Sequence, residues 1–302
     1  MWRCVVLAGL VLATSVSAQR PLDGVIDIHV HSAPDNVERS IDSIDVATLA
    51  RDRGMRALVL KSHYEPTATM AFIVRKVVPG IEVFGGIDLN LSVGGMNAAA
   101  VEHMTQVSGG YGRMVWMSTF DAENQVRYSK ENRPFVATSR NGELLAEVKQ
   151  VIGVIAKHNL VLATGHVSPD EGLMLVREGK RQGVQRMVVT HAMNPPVLMD
   201  LPRMQAATKE GAFIEIVYVH SLTIPELKRT PRFSMADVAD AVRKVGAASI
   251  VLSTDMGQVG IMLPPDGMAG FAAALKAQGI SDRELGLMMK QNPARLLDLP
   301  VQ

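Results

Sequence analysis

The sequence predicts a single-domain α/β protein, a (β/α)8 TIM barrel that follows an N-terminal leader. Eight apolar runs rich in β-branched residues recur along the 302-residue chain, and each is followed by a segment with helical spacing. Such alternation is typical of parallel strands covered by helices. A doubly wound open sheet is the alternative, but it usually carries a glycine-rich turn after its first strand. Here that turn reads His31-Ser32-Ala33-Pro34.

The eight predicted strands are short apolar runs of the kind found in sheets that are buried on both faces. They occupy residues 25–32, 56–63, 81–87, 112–119, 160–166, 186–191, 212–218 and 249–255.

Apolar residues at helical spacing follow these runs, and glycine or Pro-Gly closes several of the segments. The polar stretch 121–140 shows no such spacing and is predicted to be a loop. The predicted helices occupy residues 44–53, 67–78, 97–107, 143–158, 170–182, 201–210, 235–245, 267–278, 282–290 and 293–299.

The first eighteen residues have the pattern of a secretory signal peptide. Arg3 precedes an apolar run that reaches Ala13, and small residues lead to Ala18, after which we expect cleavage. A membrane anchor is the alternative, but the run is too short to span about 30 Å of hydrocarbon. We therefore expect residues 19–302 to form the barrel of a periplasmic or secreted protein that is not attached to a membrane after cleavage.

Charge and cysteine content exclude several classes of partner. The chain has 31 basic and 30 acidic side chains, so loss of Arg3 with the leader would leave it formally neutral. A neutral chain without basic runs is not expected to bind nucleic acid or an anionic membrane surface. The only cysteine, Cys4, lies in the leader, so disulfides are not expected to stabilise the barrel. The expected partner is a small-molecule substrate, and the sequence is also compatible with a homo-oligomer.

Side chains that can bind metal or transfer protons cluster at the carboxyl ends of the predicted strands, where barrel enzymes carry their active sites. His29 and His31 project from the same side of the first strand, so both imidazoles could reach one metal ion at about 2 Å. Alone, the pair could equally be two polar residues at a strand end. However, five of the eight histidines fall at strand ends. The full set of residues at these ends is His29, His31, Lys61, His63, His166, His191 and Asp255.

A catalytic divalent metal typically has imidazole and carboxylate ligands, and one coordination position is left for water. We expect the metal to be Zn²⁺. Such a metal lowers the pKa of bound water towards about 7. A carboxylate beside that water can accept its proton and pass it to a leaving group. Asp255 is the natural candidate for both metal binding and proton transfer.

This pattern resembles the amidohydrolase superfamily, and the closing stretch 292–297 is similar to the tail of its members. The resemblance implies that His29, His31 and His166 bind metal. It also implies that His191 is a metal ligand or polarises the substrate, and that Asp255 is both ligand and base. The implied function is that of a metal-dependent hydrolase, in which a metal-activated water cleaves a C–N or C–O bond of an amide, cyclic amide or lactone.

One departure from the two-metal members concerns the fourth strand. It ends in Trp116-Met117-Ser118-Thr119, where those members carry a bridging lysine or glutamate. Lys61 ends the second strand instead, which resembles the one-metal amino-carboxymuconate-semialdehyde decarboxylase branch. One ion is therefore favoured over two. A metal-dependent decarboxylase or lyase is the alternative function, and a non-catalytic metal-binding barrel is the second alternative.

Three further residues are candidates for the substrate site. Lys61 could act in catalysis by pairing with a substrate carboxylate or a developing anion, or it could snorkel at the barrel rim. Arg39 could bind a substrate carboxylate with two hydrogen bonds, or it could be a solvated loop residue. His63 could bind substrate, or it could be a polar residue at the rim.

Overall fold

The computed structural model describes residues 22–224 and 230–301, and there the predicted strands form one eight-stranded parallel sheet. The strands pair in chain order, and the first and last meet where the Asp255 amide donates to the His29 carbonyl oxygen at 3.0 Å. The predicted fold class is confirmed, whereas the predicted signal peptide lies outside the described residues. The strands are β1 (Ile26–His31), β2 (Ala57–Lys61), β3 (Glu82–Asp88), β4 (Gly112–Trp116), β5 (Val161–Ala163), β6 (Arg186–Val189), β7 (Phe213–Val217) and β8 (Ile250–Ser253).

A shift in strand register turns the end of β1 towards the barrel mouth. Ile26 and Ile28 belong to the apolar cluster inside the barrel, together with Trp116 and Phe84. Strict alternation would place Ile28 and His29 on opposite faces. The register of β1 against β2 is irregular between Asp27 and Val30, and such bulges re-aim side chains next to active sites.

Helices surround the barrel and pack on a second apolar cluster outside the strands. Several begin at side-chain caps that satisfy free amide groups, such as Asp42 before the first helix and the capping box of Ser168 and Glu171. The helices are α1 (Ser43–Asp52), α2 (Ala68–Val77), α3 (Ala98–Thr105), α4 (Glu123–Tyr128), α5 (Ala146–Lys157), α6 (Pro169–Arg181), α7 (Leu201–Lys209), α8 (Met235–Val245), α9 (Pro264–Ala277), α10 (Asp282–Gly286) and α11 (Asn292–Leu296).

Two predictions about secondary structure were wrong. The stretch predicted as a loop contains α4 and one strand of a small hairpin that pairs Ser139–Arg140 with Glu143–Leu144. Because α4 is only six residues long and buries one apolar residue, Val126, it shows no periodic pattern. The predicted break near residue 290 is absent, because a π-helical turn (Leu287–Gln291) joins α10 to α11. Pro293 lies in the first turn of α11, where a proline is tolerated.

Within residues 22–224 and 230–301, no helix has the length and apolar character needed to cross a bilayer.

Candidate metal centre

The carboxyl ends of the strands surround a cavity of about 620 Å³. Five imidazoles form a ring in its wall, and neighbouring ring centroids lie 4.8 to 6.0 Å apart. The structure therefore brings together all five histidines that the sequence places at strand ends. In order around the ring they are His29, His31, His63, His166 and His191.

His29, His31 and Asp255 form the tightest group of candidate metal ligands. Their donor atoms all lie within 4.8 Å of one another. Oδ1 of Asp255 is 3.1 Å from Nε2 of His29 and 3.2 Å from Nε2 of His31. Two imidazoles and one carboxylate are a ligand set that catalytic zinc sites use.

The backbone after β8 adopts unusual conformations to bring Asp255 to β1. Asp255 has a φ of 54°, which is uncommon for a residue with a side chain. Gly257 follows with a φ of 126°, and a Cβ placed there would lie 1.9 Å from the His31 carbonyl oxygen. Glycine at this position therefore permits the close approach of the last loop to the first strand.

Glu215, in the middle of β7, supports two of the histidines. Its Oε1 lies 3.0 Å from Nδ1 of His29, and its Oε2 accepts from the His191 amide at 2.8 Å. Because a carboxylate accepts the Nδ1 hydrogen, Nε2 is the nitrogen of His29 that can bind a metal ion, once the ion displaces the hydrogen on Nε2. Glu215 therefore faces the interior of the barrel, against His29, and not the surrounding helices.

The buried charges around His29 and Asp255 favour the binding of a cation. Burial lowers the pKa of His29, but the charges of Asp255 and Glu215 outweigh burial and raise that pKa to about 10. Burial raises the pKa of Asp255, yet the His29 charge and the hydrogen bonds from His29 and His31 hold it well below its ordinary value. The two ionised carboxylates thus stabilise positive charge at the position that a metal would occupy.

His166 and His191 lie in the same wall, with ring centroids 4.8 Å apart. Nδ1 of His166 is 2.9 Å from Oε1 of Gln125, on α4. Burial is the largest cause that lowers the pKa of both imidazoles, so they stay neutral, as metal ligands must. Their roles as ligands, and that of His191 as a polarising group, remain predictions.

The residues present fit a divalent metal. Nδ1 of His31 and Nδ1 of His191 are buried and have no hydrogen-bond partner in the described part of the chain. A buried polar atom without a partner is costly, and an ion or a water molecule would satisfy it. His220 also approaches the group, with Nε2 4.0 Å from Oδ2 of Asp255.

Lys61 is buried beside the site and does not line the cavity. Its Nζ lies 3.0 Å from Oδ2 of Asp88 and 5.4 Å from the centre of the Trp116 ring. The alternative of a lysine that snorkels at the rim is therefore wrong, because the side chain is 0% exposed. Its proposed catalytic role remains a prediction.

Arg39 and His63 both line the cavity, as a substrate-binding role requires. The Arg39 side chain is only 5% exposed and pairs with Asp35 at 2.7 Å, so it is not a solvated loop arginine. His63 is packed against Phe120, with ring centroids 3.8 Å apart. Substrate binding by either residue remains a prediction.

Sequence reasoning missed Asp88, Thr119 and Gln125, which contact the residues of the wall. Asp88 is the last residue of β3, so extending the predicted strand by one residue would have identified it as a carboxylate at a strand end. Thr119 ends the fourth predicted strand, but a threonine there gives no signal that it contacts His63. Gln125 carried no signal, because it lies on the short helix α4.

Solved structures with the same fold include several hydrolases. An organophosphorus hydrolase from Deinococcus radiodurans superposes with a TM-score of 0.60 at 14% identity, over 91% of this chain and 92% of that one. An amidohydrolase from Pseudomonas aeruginosa gives 0.60 at 14% identity, over 90% and 95%. A dihydroorotase gives 0.61 at 15% identity, over 93% and 70%. The resemblance to amidohydrolase-superfamily barrels is thereby confirmed for the fold.

No curated protein sequence matches this chain. Residues 24–215 match a family described only as a family of unknown function, DUF6282, and this segment contains β1 to β6, all five ring histidines and part of β7. Because the match covers more than half of the sequence, the chain belongs to the DUF6282 family.

Proposed function

We propose that this protein is a metal-dependent hydrolase that uses a metal-activated water to cleave a C–N or C–O bond of a small substrate. The observation that carries the proposal is the convergence of His29, His31 and Asp255, whose donor atoms lie within 4.8 Å of one another. They lie in the wall of a cavity of about 620 Å³, a size typical of small-molecule sites. The hydrolases among the structural neighbours support the same reaction class.

Asp255 is the residue that would move the proton. Its carboxylate stays ionised because His29 and His31 hold its pKa well below the ordinary range. An ionised carboxylate at this position can accept a proton from the attacking water and return it to the leaving group. A bound divalent ion supplies the other requirement, since it lowers the pKa of water towards about 7.

His29, His31 and Asp255 would hold the ion, with His166 and His191 as further ligands. His191 would also polarise a carbonyl oxygen, a role supported by the contact of its amide with Glu215 and by its position in the cavity wall. We expect Zn²⁺. One ion is favoured over two, because β4 ends at Trp116 without a bridging lysine or carboxylate. Amides, cyclic amides and lactones are the proposed substrates, in the periplasm or outside the cell.

The experiment that tests this function combines metal analysis with turnover. The purified full chain is analysed for bound metals, then stripped with a chelator and reloaded with Zn²⁺, Mn²⁺ or Co²⁺. Each form is assayed with a panel of amides, cyclic amides and lactones, and with carboxylic acids for release of CO₂. We expect metal-dependent hydrolysis. Release of CO₂ without hydrolysis would identify a decarboxylase, and bound metal without turnover of any substrate would indicate a metal-binding barrel.

A further inference from the structure

Exposed apolar side chains are concentrated at the mouth of the cavity. The described residues include twelve large apolar side chains that are exposed, and four of them line this cavity. They are Val37 (45% exposed), Phe120 (36%), Tyr128 (41%) and Val259 (44%). A single exposed apolar residue is common on any protein surface, whereas several around one concave site indicate a surface that binds an apolar group.

These four side chains lie on two opposite sides of the mouth. Val37 follows β1 and Val259 follows β8, and these two strands are neighbours at the junction that closes the barrel. Phe120 and Tyr128 follow β4, which is four strands away from β8 in the sheet order. In a barrel of eight strands, a separation of four strands spans the whole mouth. A group that enters the cavity therefore passes between the two pairs.

The first pair, Val37 and Val259, is held in a fixed position next to the metal site. Both residues lie on loops that continue from the strands carrying the candidate metal ligands. Backbone hydrogen bonds join the two loops, and the Ser40 amide donates to the Gly257 carbonyl oxygen at 2.9 Å. The apolar surface on this side is therefore positioned before a substrate binds.

The second pair, Phe120 and Tyr128, is held by contacts with neighbouring side chains. The Phe120 ring stacks on His63 with centroids 3.8 Å apart and meets His166 edge-on at 5.7 Å. The Tyr128 hydroxyl accepts a hydrogen bond from the Arg232 guanidinium at 2.9 Å. The apolar surface on this side is thus continuous with the ring of histidines around the candidate metal site.

The charges around the cavity favour an uncharged group at this position. Arg39 and Lys61 are each paired with an aspartate whose side chain is almost wholly buried, at 2.7 Å and 3.0 Å. Their charges are therefore already balanced without a substrate carboxylate. Glu38 and Arg232, which also line the cavity, are exposed to water and opposite in sign. Together these charges give no excess of positive charge that would attract an acidic substrate.

We propose that the substrate carries an uncharged apolar group, an alkyl chain or an aromatic ring, next to the bond that is cleaved. This group lies between Val37 and Val259 on one side of the mouth and Phe120 and Tyr128 on the other. The inference rests on the proposed hydrolytic function and narrows its substrate class. Amides, cyclic amides and lactones with an apolar substituent are favoured over those with a short or charged one.

A series of alkyl hydroxamates, which bind zinc through one end, tests the apolar mouth. Acetohydroxamate and hexanohydroxamate differ by four methylenes, and their dissociation constants are measured on the zinc-loaded full chain. Each added methylene tightens binding about twofold when it is half buried and about fourfold when it is fully buried. We therefore expect hexanohydroxamate to bind at least about 15-fold more tightly. Equal affinities for the two probes would overturn the proposal.

Val37→Ser combined with Val259→Ser removes one apolar side of the mouth without changing a candidate metal ligand. We expect the preference for hexanohydroxamate to fall at least about threefold, because the chain would contact less apolar surface. Val77→Ser is the matched control, since Val77 is an exposed valine (55%) on α2 that does not line the cavity. An undiminished preference in the double variant would overturn the proposed contact.

The monohydroxamate of adipic acid tests the charge of the group. It has the same number of carbons as hexanohydroxamate but ends in a carboxylate. We expect it to bind at least about tenfold more weakly, because the carboxylate would lose water without gaining an unpaired buried cation. Tighter binding than hexanohydroxamate would overturn the proposal and identify the mouth as an anion site.

A titration without metal separates this inference from the proposed function. Hexanamide, which has no metal-binding group, is added to the metal-free chain with ¹³C-labelled valine methyl groups, and the serine variants assign the signals. We expect the methyl signals of Val37 and Val259 to shift and those of Val77 to stay. If no hydroxamate bound the zinc-loaded chain, metal-dependent hydrolysis would fail, and this titration would still decide the apolar mouth. Unshifted signals of Val37 and Val259 would overturn it.

Discussion

Oε1 of Glu215 lies 3.0 Å from Nδ1 of His29, and both side chains are almost wholly buried. The contact joins the middle of β7 to β1 inside the barrel and sets which nitrogen of His29 can bind a metal. It also keeps the Glu215 carboxylate ionised, because the charge of His29 outweighs burial and lowers the Glu215 pKa.

Glu215→Gln should weaken metal binding about 10- to 100-fold without unfolding the chain, because the amide cannot hold His29 in the same charge state and tautomer. Competition with a fluorescent chelator measures this affinity. Glu102→Gln is the matched control, since Glu102 also pairs with a histidine, His158, but at the surface. Equal affinities of the native chain and Glu215→Gln would contradict the supporting role.

Asp255→Asn should lower turnover of any identified substrate by about 10² to 10⁴, the contribution of a positioned acid–base group. The amide cannot accept the proton of the attacking water. Initial rates and bound metal are measured on the same preparation, so loss of the ion can be separated from loss of proton transfer. Asp282→Asn, at an exposed position, should react at the native rate. Native turnover by Asp255→Asn would disprove the mechanism.

Metal affinity should rise with pH at a slope close to one proton per ion between about pH 6 and 8. The pKa of His29 is raised to about 10 in the metal-free chain, so this imidazole is protonated in that range and the ion must displace its hydrogen. His31, by contrast, has a pKa lowered to about 3, chiefly by burial, so it binds without releasing a proton. Titrations at several pH values measure the slope. A slope near zero, or near two, would contradict this assignment.

Gly257→Ala should destabilise the fold by on the order of 3 kcal/mol or more, because the added methyl group meets the His31 carbonyl at a backbone conformation that favours glycine. The same substitution at Gly142, where φ is 79° and the space is open, should cost only about 1 kcal/mol. Urea unfolding of both variants gives the free energies. Similar values for the two would show that the last loop does not depend on this close approach.

The parts of the site that lie on strands could be predicted, because a parallel barrel places every carboxyl end at one mouth. His29, His31, His166 and His191 were therefore expected near one another, and the structure places them in one wall. Lys61 also lies at a predicted strand end, but it pairs with Asp88 and does not line the cavity. That pairing depends on packing between strands, which the sequence pattern does not show. The contact between Gln125 and His166 depends on α4, which is too short for its sequence to show a helical period.

The junction of β1 and β8, which closes the barrel, determines when a metal ion can bind during folding. His31 and Asp255 are 224 residues apart in sequence, yet they contribute to the same group of donor atoms across the junction of β1 and β8. A bound ion would therefore cross-link the two ends of the folded domain. Loop-closure entropy makes such a link most stabilising when the enclosed chain is long. A chain that has not yet been synthesised past β8 cannot assemble these ligands, so metal acquisition should be among the last steps of folding.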